Sequence, residues 1–126
     1  MNPIAILWIG IVLHHTATPA LTTVESIRRH HIDVNKWDDI GYHYLVDYKG
    51  VVHKGRPTWK QGAHARGRNA THLGVALIGT APDFTEAQLQ GLRDLIANLQ
   101  RKHPTIKSIE PHHDKCPGVA IEELLK

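Results

Sequence analysis

The chain has 126 residues, 41% of them hydrophobic and 21% charged, with a formal net charge of +3 and one cysteine. That length fits a single domain spanning residues 1–126, able to bury a core without covalent staples. One cysteine excludes an internal disulfide, the charge is too slight to support a nucleic-acid function, and no apolar run reaches the about 20 residues a membrane span needs.

The stretch Ile4–Leu13, IAILWIGIVL, is the most apolar. β-Branched residues dominate it and polar residues follow at once, so it predicts a buried central strand running to about His14. It has no positively charged leader and no clear cleavage site, so a signal peptide is not expected. In TTVE, Thr22 and Glu25 offer a capping box that opens a helix through about His31. YHYLVDYKGVVHKG predicts a hairpin: strand Tyr42–Asp47, a turn over 48–50, then strand Val51–Lys54. Arg56–Thr71, rich in Gly, Arg, His and Asn, predicts a long surface loop, uncommon in a small domain unless it binds something. LGVALIG, Leu73–Gly79, predicts a second buried strand. Thr85 and Gln88 cap a long helix to about Lys102, with Phe84, Leu89, Leu92, Leu95, Ile96 and Leu99 as its apolar stripe toward the sheet. Ile106–Ile109 predicts a short strand and Val119–Leu125 a closing helix. The fold class is α/β: a single domain with a central mixed β-sheet flanked by helices.

Eleven histidines are many for this length, and position has to select among them, because imidazole serves as base, ligand or plain polar group. His30, His31, His53 and His103 fall on predicted helix and strand surfaces and read as solvated. Trp8 and Trp37 read as core or edge packing. Three strand ends carry more chemistry: VLHHT, IGYHY and SIEPHHDKC. Rigid α/β sheets put their sites at such ends.

His112 and Cys116 are four apart, but Pro111, Pro117 and Gly118 argue against a helix there. A tight loop can still turn both side chains toward one point, and a histidine from the first strand completes three nitrogen and sulfur donors. Three protein ligands with one open position are the arrangement of a catalytic zinc. The residues alone leave a second path open, a cysteine peptidase in which Cys116, just before the closing helix, is a thiolate nucleophile with a histidine base.

In order and approximate spacing, VLHHTAT (Val12–Thr18), IGYHYLVDYKGVVHKGRP (Ile40–Pro57), GAHARGRN (Gly62–Asn69), LGVALIG, TEAQLQGLRDLI (Thr85–Ile96) and HHDKCPG (His112–Gly118) resemble one family. It is the zinc-dependent N-acetylmuramoyl-L-alanine amidases of the type-2 amidase and peptidoglycan-recognition-protein group, especially compact phage endolysins. The resemblance covers nearly the whole chain. It implies a fold of that type, Zn2+ as cofactor, and bacterial peptidoglycan (a muramyl peptide) as substrate, cut at the amide between N-acetylmuramic acid and L-alanine. It also implies His14 rather than His15, and His112 rather than His113, as metal ligands beside Cys116. Strand parity does not make the first of those choices, because Ile4–Leu13 is apolar on both faces. By the same resemblance Tyr42 is catalytic. The family's catalytic lysine lies two positions before the cysteine, after a longer loop. Here Asp114 stands at that position and Lys115 adjoins Cys116, so Lys115 takes the role only if it reaches the same space.

His64, Asn69 and Arg66 of the long loop are expected at the substrate, Arg66 and Arg68 facing its carboxylates. A non-catalytic peptidoglycan-binding module of the same fold is the alternative; such members typically lose the zinc cysteine, which this chain keeps. Beyond peptidoglycan no nucleic-acid or membrane partner is expected, and the chain is expected to be a monomer. An endolysin of this kind would be made in the host cytoplasm and act on the cell wall after release.

Overall fold

The structure, a computed structural model, describes residues 6–126. Its elements are β1 (Gly10–His15), α1 (Val24–Asp33), β2 (Tyr44–Val46), β3 (Val52–Lys54), β4 (His72–Leu77), α2 (Glu86–Lys102), β5 (Ser108–Pro111) and α3 (Ile121–Leu124). The five strands form one sheet in the order β3-β2-β4-β1-β5. β2, β4, β1 and β5 run parallel, and β3 pairs antiparallel with β2. The sheet is therefore mixed, and β1, which ends in the histidines, lies between β4 and β5.

Alternation along each strand sorts side chains to two faces. On one face Ile11, Leu13, Leu73, Val75, Leu77 and Val46 pack against Leu92, Leu95, Ile96 and Leu99 of α2 and Leu124 of α3. On the other, Leu45, Ala76 and Ile78 pack against Ile27 of α1 and Ile40. The α2 capping box forms as expected, with Gln88 and Thr85 satisfying each other's backbone. Gln88 is itself buried, and its amide donates to the carbonyls of Val46 and Ile78, which ties the helix start to the sheet.

Several boundaries differ from expectation for physical reasons. The first strand begins at Gly10 rather than Ile4; Ile4 and Ala5 lie outside the described residues, and Leu7 and Ile9 are exposed, so their apolarity marks no core. α1 is capped by Thr23, not Thr22: Thr23 Oγ1 accepts from the Ser26 NH at 3.1 Å. Glu25 sits in the first turn and pairs with Arg29 instead. β2 starts at Tyr44, leaving Tyr42 and His43 in the approach to the strand. The last strand lies two residues later than predicted, with Ile106 buried before it. The closing helix shrinks to a single turn. His31 is buried rather than solvated, and its Nδ1 accepts from the Gly41 NH at 2.9 Å. Among the described residues no helix is long and apolar enough to cross a membrane.

Candidate metal centre

His14 lies near the carboxyl end of β1, level with Ala76 of β4, and is 2% exposed. Beyond β5 the chain passes through His112, whose NH donates to the Leu13 carbonyl at 3.2 Å and so keeps it beside β1. A tight turn follows, closed by two backbone hydrogen bonds of 3.0 Å between His113 and Cys116. This turn carries Cys116 back toward the sheet. One ligand atom each from His14, His112 and Cys116 then lies within 4.8 Å of the others. His14 Nδ1 is 3.7 Å from Cys116 Sγ. Zinc bonds of about 2.0 Å to nitrogen and 2.3 Å to sulfur in a tetrahedron put such donors about 3.5 Å apart. Two imidazoles and a thiol at this spacing therefore suit a zinc-sized ion.

Burial, reinforced by His64 and His112, pushes the pKa of His14 down to about 2. Burial also lowers His112, and takes His64 down to about 4. At neutral pH His14 and His64 are uncharged, and neutral imidazole is the form that binds metals. Burial is the largest influence on the Cys116 thiol and pushes its pKa up; its Sγ lies 3.8 Å from the His15 carbonyl. A peptidase nucleophile needs the reverse shift.

A cleft of about 400 Å³ opens over the three donors, lined also by Tyr42, Trp37, His31 and Lys115. Tyr42 borders a second hollow of about 460 Å³, whose rim carries the hydroxyls of Thr16, Thr18, Thr22 and Ser26. Burial, then the nearby Cys116, pushes the Tyr42 phenol up to about 12. It stays protonated at neutral pH and can donate a hydrogen bond. Lys115 is exposed near the tip of the 113–116 turn and borders the same cleft.

The long loop is built differently from a substrate flap. Asn69 Oδ1 accepts from the NH groups of His64 and Ala65, at 2.7 and 2.9 Å. His64 Nε2 lies 2.9 Å from the His72 carbonyl and its Nδ1 lies 2.9 Å from His14 Nε2. Arg68 spans to β5, donating to Glu110 Oε1, the Pro111 carbonyl and, at 2.7 Å, the His112 carbonyl. Of the loop residues expected at substrate, Arg66 alone has an exposed side chain; it borders a hollow of about 380 Å³ with Trp37 and Asn69. His31 and Trp37 line the main cleft without having been expected there. For His31 the usable signal is its four-residue spacing from Ile27, which puts both on the buried face of α1. His15 and His113 point to other work: His15 Nδ1 accepts from the Ala81 NH and His113 Nδ1 from the Lys115 NH.

Residues 7–119 match the family model described as N-acetylmuramoyl-L-alanine amidase. The endolysin of Escherichia phage T7 is 34% identical over 117 residues, covering 86% of this chain and 76% of that protein. The N-acetylmuramoyl-L-alanine amidase of Sus scrofa is 34% identical over 134 residues, 92% of this chain, but the chain spans only 22% of that relative's length. Among solved structures, the N-acetylmuramoyl-L-alanine amidase LysC from Clostridium intestinale superimposes with a TM-score of 0.86 at 31% identity, over 95% of this chain and 84% of that one.

Proposed function

The chain belongs to the N-acetylmuramoyl-L-alanine amidase family, and from that membership we propose that it hydrolyses the amide between N-acetylmuramic acid and L-alanine in bacterial peptidoglycan, with Zn2+ held by His14, His112 and Cys116. Its similarity to phage endolysins over most of their length supports action on the cell wall after release from the host cytoplasm. The observation that carries the metal is the convergence of those three donors within 4.8 Å under an open cleft.

When bound, Zn2+ supplies Lewis acidity, making water acidic enough to attack at neutral pH and polarising the scissile carbonyl. The chain's own residues do the rest. His14, His112 and Cys116 would hold the ion beneath the cleft that opens over them, from which water and substrate would reach it. Tyr42, a protonated phenol at the border of both hollows, donates to the oxygen on which negative charge develops. Lys115 adds positive charge at the cleft, from the position next to Cys116. Arg66 offers an exposed guanidinium for a carboxylate of the stem peptide. His64 and Asn69 act from inside the loop, holding its backbone and His14. The chain works as a monomeric catalytic domain, residues 1–126.

Digestion of purified peptidoglycan, with mass analysis of the products, tests this. Intact stem peptides beginning at L-alanine should appear, vanish with chelator and return with added Zn2+. New reducing sugar ends would indicate a glycosidase. Cleavage that survives complete metal removal would overturn the ligand set, and binding without cleavage would make the chain a recognition module.

A further inference from the structure

The hydrogen bonds of His64 fix more than its own position. A carbonyl oxygen only accepts, so the 2.9 Å approach of His64 Nε2 to the His72 carbonyl puts a proton on Nε2. A neutral imidazole has one proton, so His64 Nδ1 is an acceptor. The group it faces at 2.9 Å, His14 Nε2, must then carry the proton of that bond. His14 Nδ1 is left bare, and that is the nitrogen 3.7 Å from Cys116 Sγ. The relay runs in one direction, from the His14 ring to a backbone carbonyl of β4.

The fold reserves space for this ring. Gly74 stands on β4 beneath it, and a Cβ there would lie 2.5 Å from His64 Cγ and 2.6 Å from Cδ2. A Cβ on Gly62 would strike His64 Cδ2 as well. Asn69 fixes the His64 backbone, and the acceptor carbonyl belongs to His72, the first residue of β4. Ring, acceptor and slot are all tied to the rigid centre of the sheet.

We propose that His64 is a positioning residue: it sets the tautomer and ring orientation of His14 so that Nδ1 is presented, bare, to the metal. His64 so placed acts through His14, although it also borders the cleft over the donors. The proposal rests on His14 being a metal ligand. Groups that orient ligating histidines in this way typically contribute about 10- to 100-fold in metal affinity.

Two measurements test it. Nitrogen-15 NMR of the imidazoles in the metal-free wild-type protein should find the proton on Nε2 in both His14 and His64; a proton on His14 Nδ1 would overturn the proposal. Zn2+ affinity by competition with a chromophoric chelator should fall about 10- to 100-fold in His64→Leu. His64→Gln should recover most of that loss, because its amide accepts through oxygen and donates through nitrogen. A folded His64→Leu with wild-type affinity, or a folded His64→Gln no better than the leucine variant, would overturn it too. If His64→Leu does not fold, the tautomer measurement and the glutamine variant decide. A wild-type protein that binds no Zn2+ would sink the metal assignment itself, and the NMR result would still decide what His64 does to His14.

Discussion

On the α2 side of the sheet, β1 and β4 present Ile11, Leu13, Leu73, Val75 and Leu77, and the helix fills against them with leucine and isoleucine. On the α1 side the same two strands present Gly10, Val12 and His14, level with His72, Gly74 and Ala76. There Ala76 joins a small apolar cluster with Ile27 and Ile40, and beside it the filling is imidazole, held by directional hydrogen bonds to carbonyls, to Glu110 and to other rings. One strand pair thus supports two kinds of interior. The apolar one is stabilised by area and loses stability wherever a cavity opens. The histidine one is stabilised by satisfied polar pairs, and what it gains is orientation. Damage to the two should therefore read out differently, one in stability and the other in metal binding and turnover.

The largest separation is expected from Cys116→Ala. It removes the single sulfur donor but little buried area, so the metal-free protein should unfold near the wild-type temperature. Zn2+ content should drop below stoichiometry and hydrolysis should fall by about 10³-fold or more, the loss of several kcal/mol of transition-state stabilisation. Metal analysis with a turbidity assay on cell walls measures both; retained turnover would erase the distinction between the faces.

Leu92→Ala is the converse. Leu92 is fully buried under the sheet, and its truncation should cost about 2–5 kcal/mol in urea unfolding. The folded fraction should keep its Zn2+ affinity and turnover number. A large change in either would mean that the apolar face does more than carry load for the site.

Acid should weaken the histidine face, alongside carboxylates such as Asp47 whose lowered pKa also makes stability fall as pH drops. Burial is the main cause that lowers His43 from 6.5 to about 4. The unfolded chain binds the proton first, so stability conferred by neutral His43 is complete above pH 6.5 and is lost as pH falls toward 4. The span of the shift sets an upper limit of about 3 kcal/mol for this group. Its ring accepts from the Gly74 NH and donates to the Lys60 carbonyl. In chelator, urea midpoints should fall across that window, and His43→Gln, which keeps both bonds without titrating, should lessen the fall, leaving the share of the other buried imidazoles, His64 among them.

Tyr42→Phe sharpens the comparison within the histidine face, because it removes a donor and no ligand. Loss of one hydrogen bond to a developing oxyanion typically costs about 10²-fold or more in turnover. Zn2+ affinity and melting temperature should stay put. An unchanged rate would remove Tyr42 from the chemistry and leave Lys115 as the candidate donor.

The two faces also differed in how well the sequence announced them. α2 was legible to the residue at both ends, since Thr85 and Gln88 form the box and the stripe of Leu92, Leu95, Ile96 and Leu99 has helical spacing. The sequence places the start of α1 one residue early, as a box of Thr22 with Glu25, whereas Thr23 is the cap and Ser26 meets it. The choice of His14 over His15 was not available from alternation. What the structure adds is placement: His14 lies level with Ala76, its ring meets His64, and its ligand atom lies within 4.8 Å of those of His112 and Cys116. The role of the long loop was the least legible. His64 meets a carbonyl eight residues away and a ring fifty residues away, and Arg68 reaches over forty residues to the His112 backbone. Such bonds leave no periodic trace, and polar loop residues look alike whether they face solvent, substrate or a ligand.

Arg66 carries the smallest expected effect and tests where the loop's internal role stops. Its neighbours His64, Arg68 and Asn69 are anchored to the site, whereas Arg66 is exposed beside the hollow under Trp37. A guanidinium in open solvent meeting a peptide carboxylate is worth about 0–1 kcal/mol. Arg66→Ala should raise KM by no more than about fivefold, with kcat, Zn2+ affinity and the melting temperature unchanged. Added salt should shrink the difference between variant and wild type, because screening weakens an exposed pair. A fall in Zn2+ affinity would instead tie Arg66 to the internal scaffold. A variant with unaltered KM at low salt would leave the stem-peptide carboxylates to some other cation, with Lys115 next in line.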